Sequence, residues 1–476
     1  LTLGKLGNTS GVTIGSTTTI AGPVSVYGGA VAINAPIIST GTVTLKGSTI
    51  TDGASGYISA DKLALLGGAV TLDHTSNNIN TLAASGVSAL TFVDSNTLSV
   101  DTVGATVGIS ATGDVRVDTL TGDLTVAQNV STTSATSNAV WFNAGKSAAT
   151  GTTTGGNVLI TGPPTITAGI GGTIRLMTGS VSGSTGLTSL VGSGTGRFRY
   201  NADETTNFAL ASWTNLGSGM YAIYREQPTA TPDNLNQVIT YGDSFALSTT
   251  ATGLVNGDTL SQSLVSPLYS SGRLNAKVTP YSISNNLTKL GYNVTANTLT
   301  VNPKVLTASG LSSIDKVYDG TTLATVIGTA ALQAAAATPT SSDGKPFTGD
   351  TVSLSGTAVG NFNTKDVLTA NTVAFTGLTL TGAQAGNYTL TQPGNDTTAR
   401  ITAKALTVTG VSSSDKVYDG TTAAVVNGTA ALQATIAAGT GASTDGKAYT
   451  GDAVSLSGTV VGNFNSKDVA TANTVT

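Results

Sequence analysis

The sequence predicts an all-β chain, with a right-handed parallel β-solenoid followed by tandem antiparallel β-sandwich modules. Three observations predict it. The 476 residues include 59 Gly and only 10% charged residues, and they are rich in Thr, Ser, Val and Asn. That composition favours strands and tight turns over helices. Short apolar triplets recur about every 20 residues in the first part of the chain. The octapeptide "DKVYDGTT" stands at 315–322 and again at 415–422, one small-domain length apart.

The solenoid is expected over residues 1–195. One series of triplets starts at Val12, Val31, Ile50, Val70 and Leu90, with steps of 19, 19, 20 and 20. A second starts at Val24, Val43, Leu63 and Leu82, with steps of 19, 20 and 19. Most triplets alternate apolar and polar and are separated by Gly, Ser, Asn or Asp, the mark of a strand followed by a turn. Two series with one shared period describe a coil with one strand on each of two sides, whose inward Val, Ile and Leu residues stack. Beyond about residue 110 the register is harder to follow, and the Thr- and Gly-rich stretch 131–156 is expected to loop out.

Residues 196–227 read as an aromatic-rich cap and linker. Phe198, Tyr200, Phe208, Trp213, Tyr221 and Tyr224 cluster here with both Glu residues of the chain. A solenoid end exposes apolar side chains and unpaired strand edges and needs a plug. The functional alternative is an aromatic sugar-binding platform. The Pro-punctuated stretch 226–237 reads as a linker into the next module.

From 228 to 304, alternating segments with turn signals every eight to twelve residues predict an immunoglobulin-like sandwich. Two copies of one further module follow, at 305–404 and 405–476, the second expected to be a truncated copy. "VNPKVLTASGLSSIDKVYDGTT" from Val301 aligns with "ITAKALTVTGVSSSDKVYDGTT" from Ile401, and "DGKPFTGDTVSLSG" aligns with "DGKAYTGDAVSLSG". No spacer separates the modules, so a semi-rigid string is expected. In the octapeptide, Asp319-Gly320 predicts a tight turn, and Tyr318 should pack inward with its hydroxyl on a partner. The alternatives are calcium at Asp315 and Asp319, or an isopeptide bond from Lys316.

These motifs resemble known families. "KVYDGTT", "TGDTVSLSG" and "AGNYTL" look like the YDG domain of large bacterial surface proteins. "VITYGDSFALSTTATGLVNGDTL" with "LGYNVTANTLTV" is similar to the MBG domain. "LAASGVSALTFVDSNTLSVDTV" and the aromatic stretch after it resemble filamentous-haemagglutinin-like passenger proteins. The resemblance implies export across the outer membrane, with two-partner secretion as the expected route and an outer-membrane transporter as a transient partner. It also implies extracellular or cell-surface display as an adhesin that binds a receptor or glycan on a host or neighbouring cell.

Composition adds exclusions. The chain has no Cys and one His, its net charge is −4, and Lys and Arg form no cluster, which argues against thiolate chemistry and a nucleic-acid partner. No apolar run approaches the ~18 residues of a transmembrane helix. The acids of the solenoid, among them Asp52, Asp61, Asp73 and Asp94, sit mostly at turn positions; Asp61 and Asp73 could share a side of adjacent coils, but turn chemistry explains them more simply. Paired carboxylates would be needed for glycoside cleavage. His74 reads as an exposed turn residue. No catalytic, cofactor or metal residue is assigned, and the expectation is a non-enzymatic, rod-like adhesin segment about 150 Å long, from about ten coils at ~4.8 Å and three modules of roughly 35 Å. The alternative is a self-assembling subunit of an extracellular filament or biofilm matrix, with strand donation as a means of assembly. A start at Leu1 and a second repeat that stops after "NTVT" lead to the expectation that the sequence is part of a longer protein.

Overall fold

The computed structural model describes residues 1–205, 216–335 and 340–476. The chain is almost entirely β and divides into two compact units. One comprises Leu1–Gln237, Ala246–Val265 and Tyr281–Leu299; the other comprises Val238–Phe245, Ser266–Pro280 and Thr300–Thr476. Residues 228–304 therefore contribute to both.

The first unit is dominated by one β-helix-like parallel sheet of 21 strands among the described residues. Each strand pairs in parallel with the strand one turn further on, so equivalent side chains lie directly above one another. One such column runs through Val12, Val31, Ile50, Val70, Leu90, Val115, Val140 and Ile174. Another runs through Val24, Val43, Leu63, Leu82, Val100, Val126 and Ile160. Most of these side chains are fully buried, and burying each contributes about 1.5–3 kcal/mol.

The expectation of two strands per turn is corrected to three. Thr18–Ile20 pairs with Ile37–Ser39, which pairs with the start of Ile58–Leu72. This third side escapes a search for alternating triplets because "TTI" and "IIS" do not alternate. The stretch 131–156 is also only partly a loop. Val130–Thr132 and Val140–Ala144 are both strands of the sheet, the latter held between Val115–Thr119 and Thr173–Thr178, and the longest excursion follows it. The column steps lengthen there to 25, 25 and 34 residues, from Leu90 to Val115, Val140 and Ile174. Insertions between strands leave the stacking intact while destroying the period.

On the outer face the same registration stacks polar and aromatic groups. Arg116, Trp141, Arg175 and Tyr221 are successive partners, and the Arg116 and Arg175 guanidinium carbons each lie 5.0 Å from the Trp141 ring centre. Flat cations layered with rings are mutually attractive.

After Phe198 the described residues add one more strand and a buried tyrosine cluster. Gly219–Tyr224 pairs in parallel with both Thr173–Thr178 and Phe198–Arg199. Phe198, Tyr200 and Tyr224 are 0% exposed, so their faces are not available to a sugar. Phe208 and Trp213 lie outside the described residues. The Tyr200 ring stacks on Tyr224 at 5.5 Å and meets Tyr292 edge-on at 4.7 Å. Both the Tyr200 and Tyr292 hydroxyls donate to Asp258, at 2.7 and 2.9 Å. Burial pushes the Asp258 carboxyl up, opposed by those two hydroxyls. Arg225 is likewise buried and donates to the carbonyls of Ala144 at 2.7 Å and Gly156 at 2.7 Å, pinning both ends of the excursion. Within the segment expected as a linker, Thr229–Pro232 is a strand, paired with Ala251–Thr252 and Asn293–Val294.

Asp94, expected at a turn, is the last residue of the strand Asn78–Asp94 and has a measurable consequence. Asp94 is fully buried and accepts hydrogen bonds from the backbone N–H groups of Ile79 and Asn96, at 2.8 and 3.0 Å. Burial outweighs these bonds and pushes its carboxyl from 3.8 up to about 7. The folded protein therefore holds a proton that the unfolded chain releases. This contribution to stability is fully present below about 3.8, is lost as the pH rises towards about 7, and is constant above that. The expected result is a pH-dependent fall in the unfolding midpoint across that window, shallower in Asp94→Asn. An unchanged profile in the variant would refute it.

In the second unit, two three-stranded sheets form the first repeat. Lys304–Ser313 pairs with Val326–Leu332 and Tyr388–Thr391; Ser353–Phe362 pairs with Leu323–Ala324 and Val373–Thr381. Each long antiparallel pair is bent by facing glycines. Gly310 and Gly328 have φ of 93° and 88°, and a Cβ on either would stand 2.4 or 2.3 Å from the opposite strand's carbonyl oxygen. Only glycine fits such a bulge. Gly410 and Gly428 repeat it in the second copy, where Val408–Ser413 pairs with Val426–Leu432.

Candidate functional site at the inter-repeat joints

The octapeptide builds a cation-centred turn. Lys316–Val317 is a short strand paired in parallel with Ile401–Thr402. The Lys316 ammonium turns back and donates to Asp319 Oδ1 at 2.7 Å and to the carbonyls of Thr321 and Leu323 at 2.9 and 2.7 Å. Asp319 also accepts the Thr321 N–H at 2.9 Å, and Gly320 supplies the positive φ of 80° that the turn requires. In the second copy Lys416 makes the matching bonds to Asp419 at 2.8 Å and the Ala423 carbonyl at 2.7 Å. Four of the eight residues, Lys316, Asp319, Gly320 and Thr321, are thus explained by one turn, in which a lysine closes what Asp-Gly begins. Around Asp319 burial would raise the carboxyl, but Lys316 and Thr321 hold it below its ordinary range. Asp315 faces elsewhere and accepts the Arg400 N–H at 2.7 Å. The two acids proposed for calcium are therefore committed to different donors.

Tyr318 is the residue that leaves the turn. Its ring packs beside the core of its own repeat, and its hydroxyl donates to Asp452 of the second repeat at 2.8 Å. Lys365 completes a triangle, donating to Asp452 at 2.8 Å and to the Tyr318 hydroxyl at 2.7 Å. The Tyr318 ring meets Tyr449 edge-on at 5.8 Å. Beside them, Lys404 lies 4.1 Å from the Tyr449 ring centre and 2.9 Å from Asp445. The Asp452 carboxylate, followed by the Tyr318 hydroxyl, holds the Lys365 ammonium well above its usual range.

The same joint occurs one module earlier. Tyr241 in "TYGD" donates to Asp350 at 2.9 Å, and its ring meets Phe347 edge-on at 5.6 Å. Arg273 takes the place of Lys365, 3.9 Å from Asp350. Lys304 takes the place of Lys404, 4.1 Å from the Phe347 ring centre and 2.7 Å from Asp343. Here Tyr388 adds a further hydroxyl to Asp350, at 2.5 Å. Each joint thus combines a tyrosine and a cation of the preceding segment with the acid and ring of a downstream "DGK-x-[F/Y]-TGD" loop. No shared motif marks the tyrosine side, because Tyr241 and Tyr318 sit in different surrounding sequences.

A cleft of about 670 Å³ opens at the second joint, lined by Tyr318, Lys365, Leu368, Lys404, Tyr449 and Asp452. Tyr318, Lys365 and Asp452 bond to one another across it, and this triangle links the two repeats. In the parallel stack, Asp61 accepts from Asn80 at 3.1 Å while Asp73 presents its N–H to Asp52, and no hydrogen bond joins Asp61 to Asp73. Asp52 is the organising acid there, also accepting the His74 N–H at 3.0 Å. The His74 ring is half-buried near Tyr57, 5.8 Å away, with Nε2 3.2 Å from the Ala54 carbonyl. Among the described residues no three His, Cys, Asp or Glu side chains converge as metal ligands, and no helix is long and apolar enough to cross a membrane.

No curated protein and no solved structure matches the chain. Residues 302–398 and 402–476 each match the family described as the YDG domain, so both sides of the second joint, and the acid side of the first, fall within matched repeats.

Proposed function

We propose that the chain is a non-enzymatic segment of an exported bacterial surface adhesin that mediates attachment or cell–cell contact. In this reading the parallel stack is a right-handed β-solenoid related to filamentous-haemagglutinin-like passengers, and the modules are immunoglobulin-like sandwiches of MBG and YDG type. The observation that carries it is the pair of consecutive YDG matches, a module that the sequence resemblance associates with large bacterial surface proteins. Joints that fasten successive modules through side chains suit a protein that must hold a binding region away from a cell. Beads coated with the full chain are expected to adhere to bacterial or host cells above beads coated with albumin. Equal retention on every cell type tried would sink the reading.

The filament reading draws on a different observation. In the first repeat Ser353–Phe362 is covered by Val373–Thr381. In the second, Val454, Leu456, Val460 and Val461 are 49, 42, 47 and 70% exposed. Residues 453–461 form no strand there, and an uncovered apolar segment of this kind could pair with an added strand. Ordered polymers in electron micrographs, abolished by a peptide of the 373–381 sequence, would replace the adhesin reading with this one. Isolated particles would leave the adhesin reading standing.

A further inference from the structure

The second repeat carries the preceding half of the joint a third time. Tyr418 stands where Tyr318 stands, and Lys467, in "NFNSKDV", stands where Lys365 stands in "NFNTKDV". Tyr418 is 57% exposed, and Lys467 is exposed. Among the described residues neither makes a hydrogen bond or ion pair. The two line an open cleft of about 150 Å³ together with Phe464 and Val469. Val469 is 80% exposed, whereas its counterpart Val367 packs against the core of the first repeat. The anchor beneath is intact, since Lys416 closes its turn as Lys316 does.

We propose that Tyr418 and Lys467 form a docking site for a further YDG-type module, which enters with its "DGK-x-[F/Y]-TGD" loop. The loop's acid would accept from the Tyr418 hydroxyl and the Lys467 ammonium, and its aromatic ring would meet Tyr418 edge-on. Two arguments select this occupant. Both joints within the chain seat the same loop on the same kind of tyrosine and cation, at 2.9 and 2.8 Å from tyrosine hydroxyl to acid. A lysine beside a phenol also calls for a carboxylate rather than for an apolar or basic surface. The acids Asp350 and Asp452 are already engaged, so the incoming acid belongs to an additional module and not to either repeat of this chain. The inference rests on the joints and is independent of the adhesin reading.

The test uses the full chain extended after Thr476, which stands where Ala374 stands, by a copy of residues 375–476, which adds a third loop. A zero-length carbodiimide couples an ammonium to a carboxylate only when the two are in contact, and peptide mass spectrometry reads the product. Lys365 coupled to Asp452 is the internal reference. The expected result is a second product joining Lys467 to the acid of the added loop, in yield similar to the reference. It should vanish when that added acid alone is changed to Asn, and it should fall with Tyr418→Phe. A Lys467 product that survives loss of the added acid would overturn the proposal. So would a reference that couples while Lys467 does not. If the reference itself fails to couple, the joint on which the site is patterned is absent and the proposal falls with it.

Discussion

Arg225→Met is expected to release the excursion between Ala144 and Gly156 from the parallel stack. The guanidinium is buried, with two 2.7 Å bonds to the Ala144 and Gly156 carbonyls and a third, at 3.3 Å, to Thr154. Methionine keeps much of the volume but donates nothing. Hydrogen bonds to a charged group contribute about 1.5–3 kcal/mol each, and a buried acceptor left unpaired costs about 1–3 kcal/mol. A local loss of about 3–5 kcal/mol follows, which corresponds to a fall in protection of roughly a hundred-fold or more. Amide hydrogen exchange across residues 145–156 reads it directly. The glycines here add to the effect: Gly145, Gly155 and Gly156 all have positive φ, and a Cβ on Gly145 or Gly155 would come within 4 Å of the Arg225 Nη2. Exchange rates unchanged in Arg225→Met would show that backbone contacts alone hold the excursion.

The second large effect is expected at Lys304. Its side chain is fully buried, with the ammonium 2.7 Å from Asp343, 2.6 Å from the Thr340 carbonyl and 4.1 Å from the Phe347 ring centre. Burial would raise the Asp343 carboxyl, but the lysine holds it below its ordinary range. Asp343→Ala leaves a buried cation without its carboxylate, a change that destabilises by about 3–5 kcal/mol in comparable sites. The reverse change, Lys304→Met, should cost less, because Asp343 is partly exposed and returns to water while the methionine still packs on Phe347. Urea unfolding followed through the first repeat distinguishes them, with Asp343→Ala the more damaging. Equal midpoints for the two variants would mean that the ion pair does not set the stability of this joint. The matching pair, Lys404 and Asp445, predicts the same ordering in the second repeat.

Much of this architecture is legible before any coordinates. The columns through Val12 and Val24 follow from a constant step of 19–20 residues, because in-register parallel pairing demands that like positions recur at one spacing. The tandem repeat follows from identity between copies. The third strand of each turn does not follow, since Thr18–Ile20 and Ile37–Ser39 carry no alternation and are recognised only by what they pair with. Val140–Ala144 is hidden for a related reason: insertions on either side break the period while the strand keeps its place in the stack.

The octapeptide divides in the same way. The sequence by itself determined that Asp319-Gly320 turns the chain and that Tyr318 must find a partner, because both are local properties of residue type. Only the tertiary structure decided that the partner is Asp452, 134 residues away, and that Tyr241 and Asp350 make the same contact from a different surrounding sequence. A hydroxyl and a carboxylate carry no address in their own sequence. Their pairing is set by where the sheets of successive repeats place the turn and the loop, and that placement arises from the packed cores of both repeats at once.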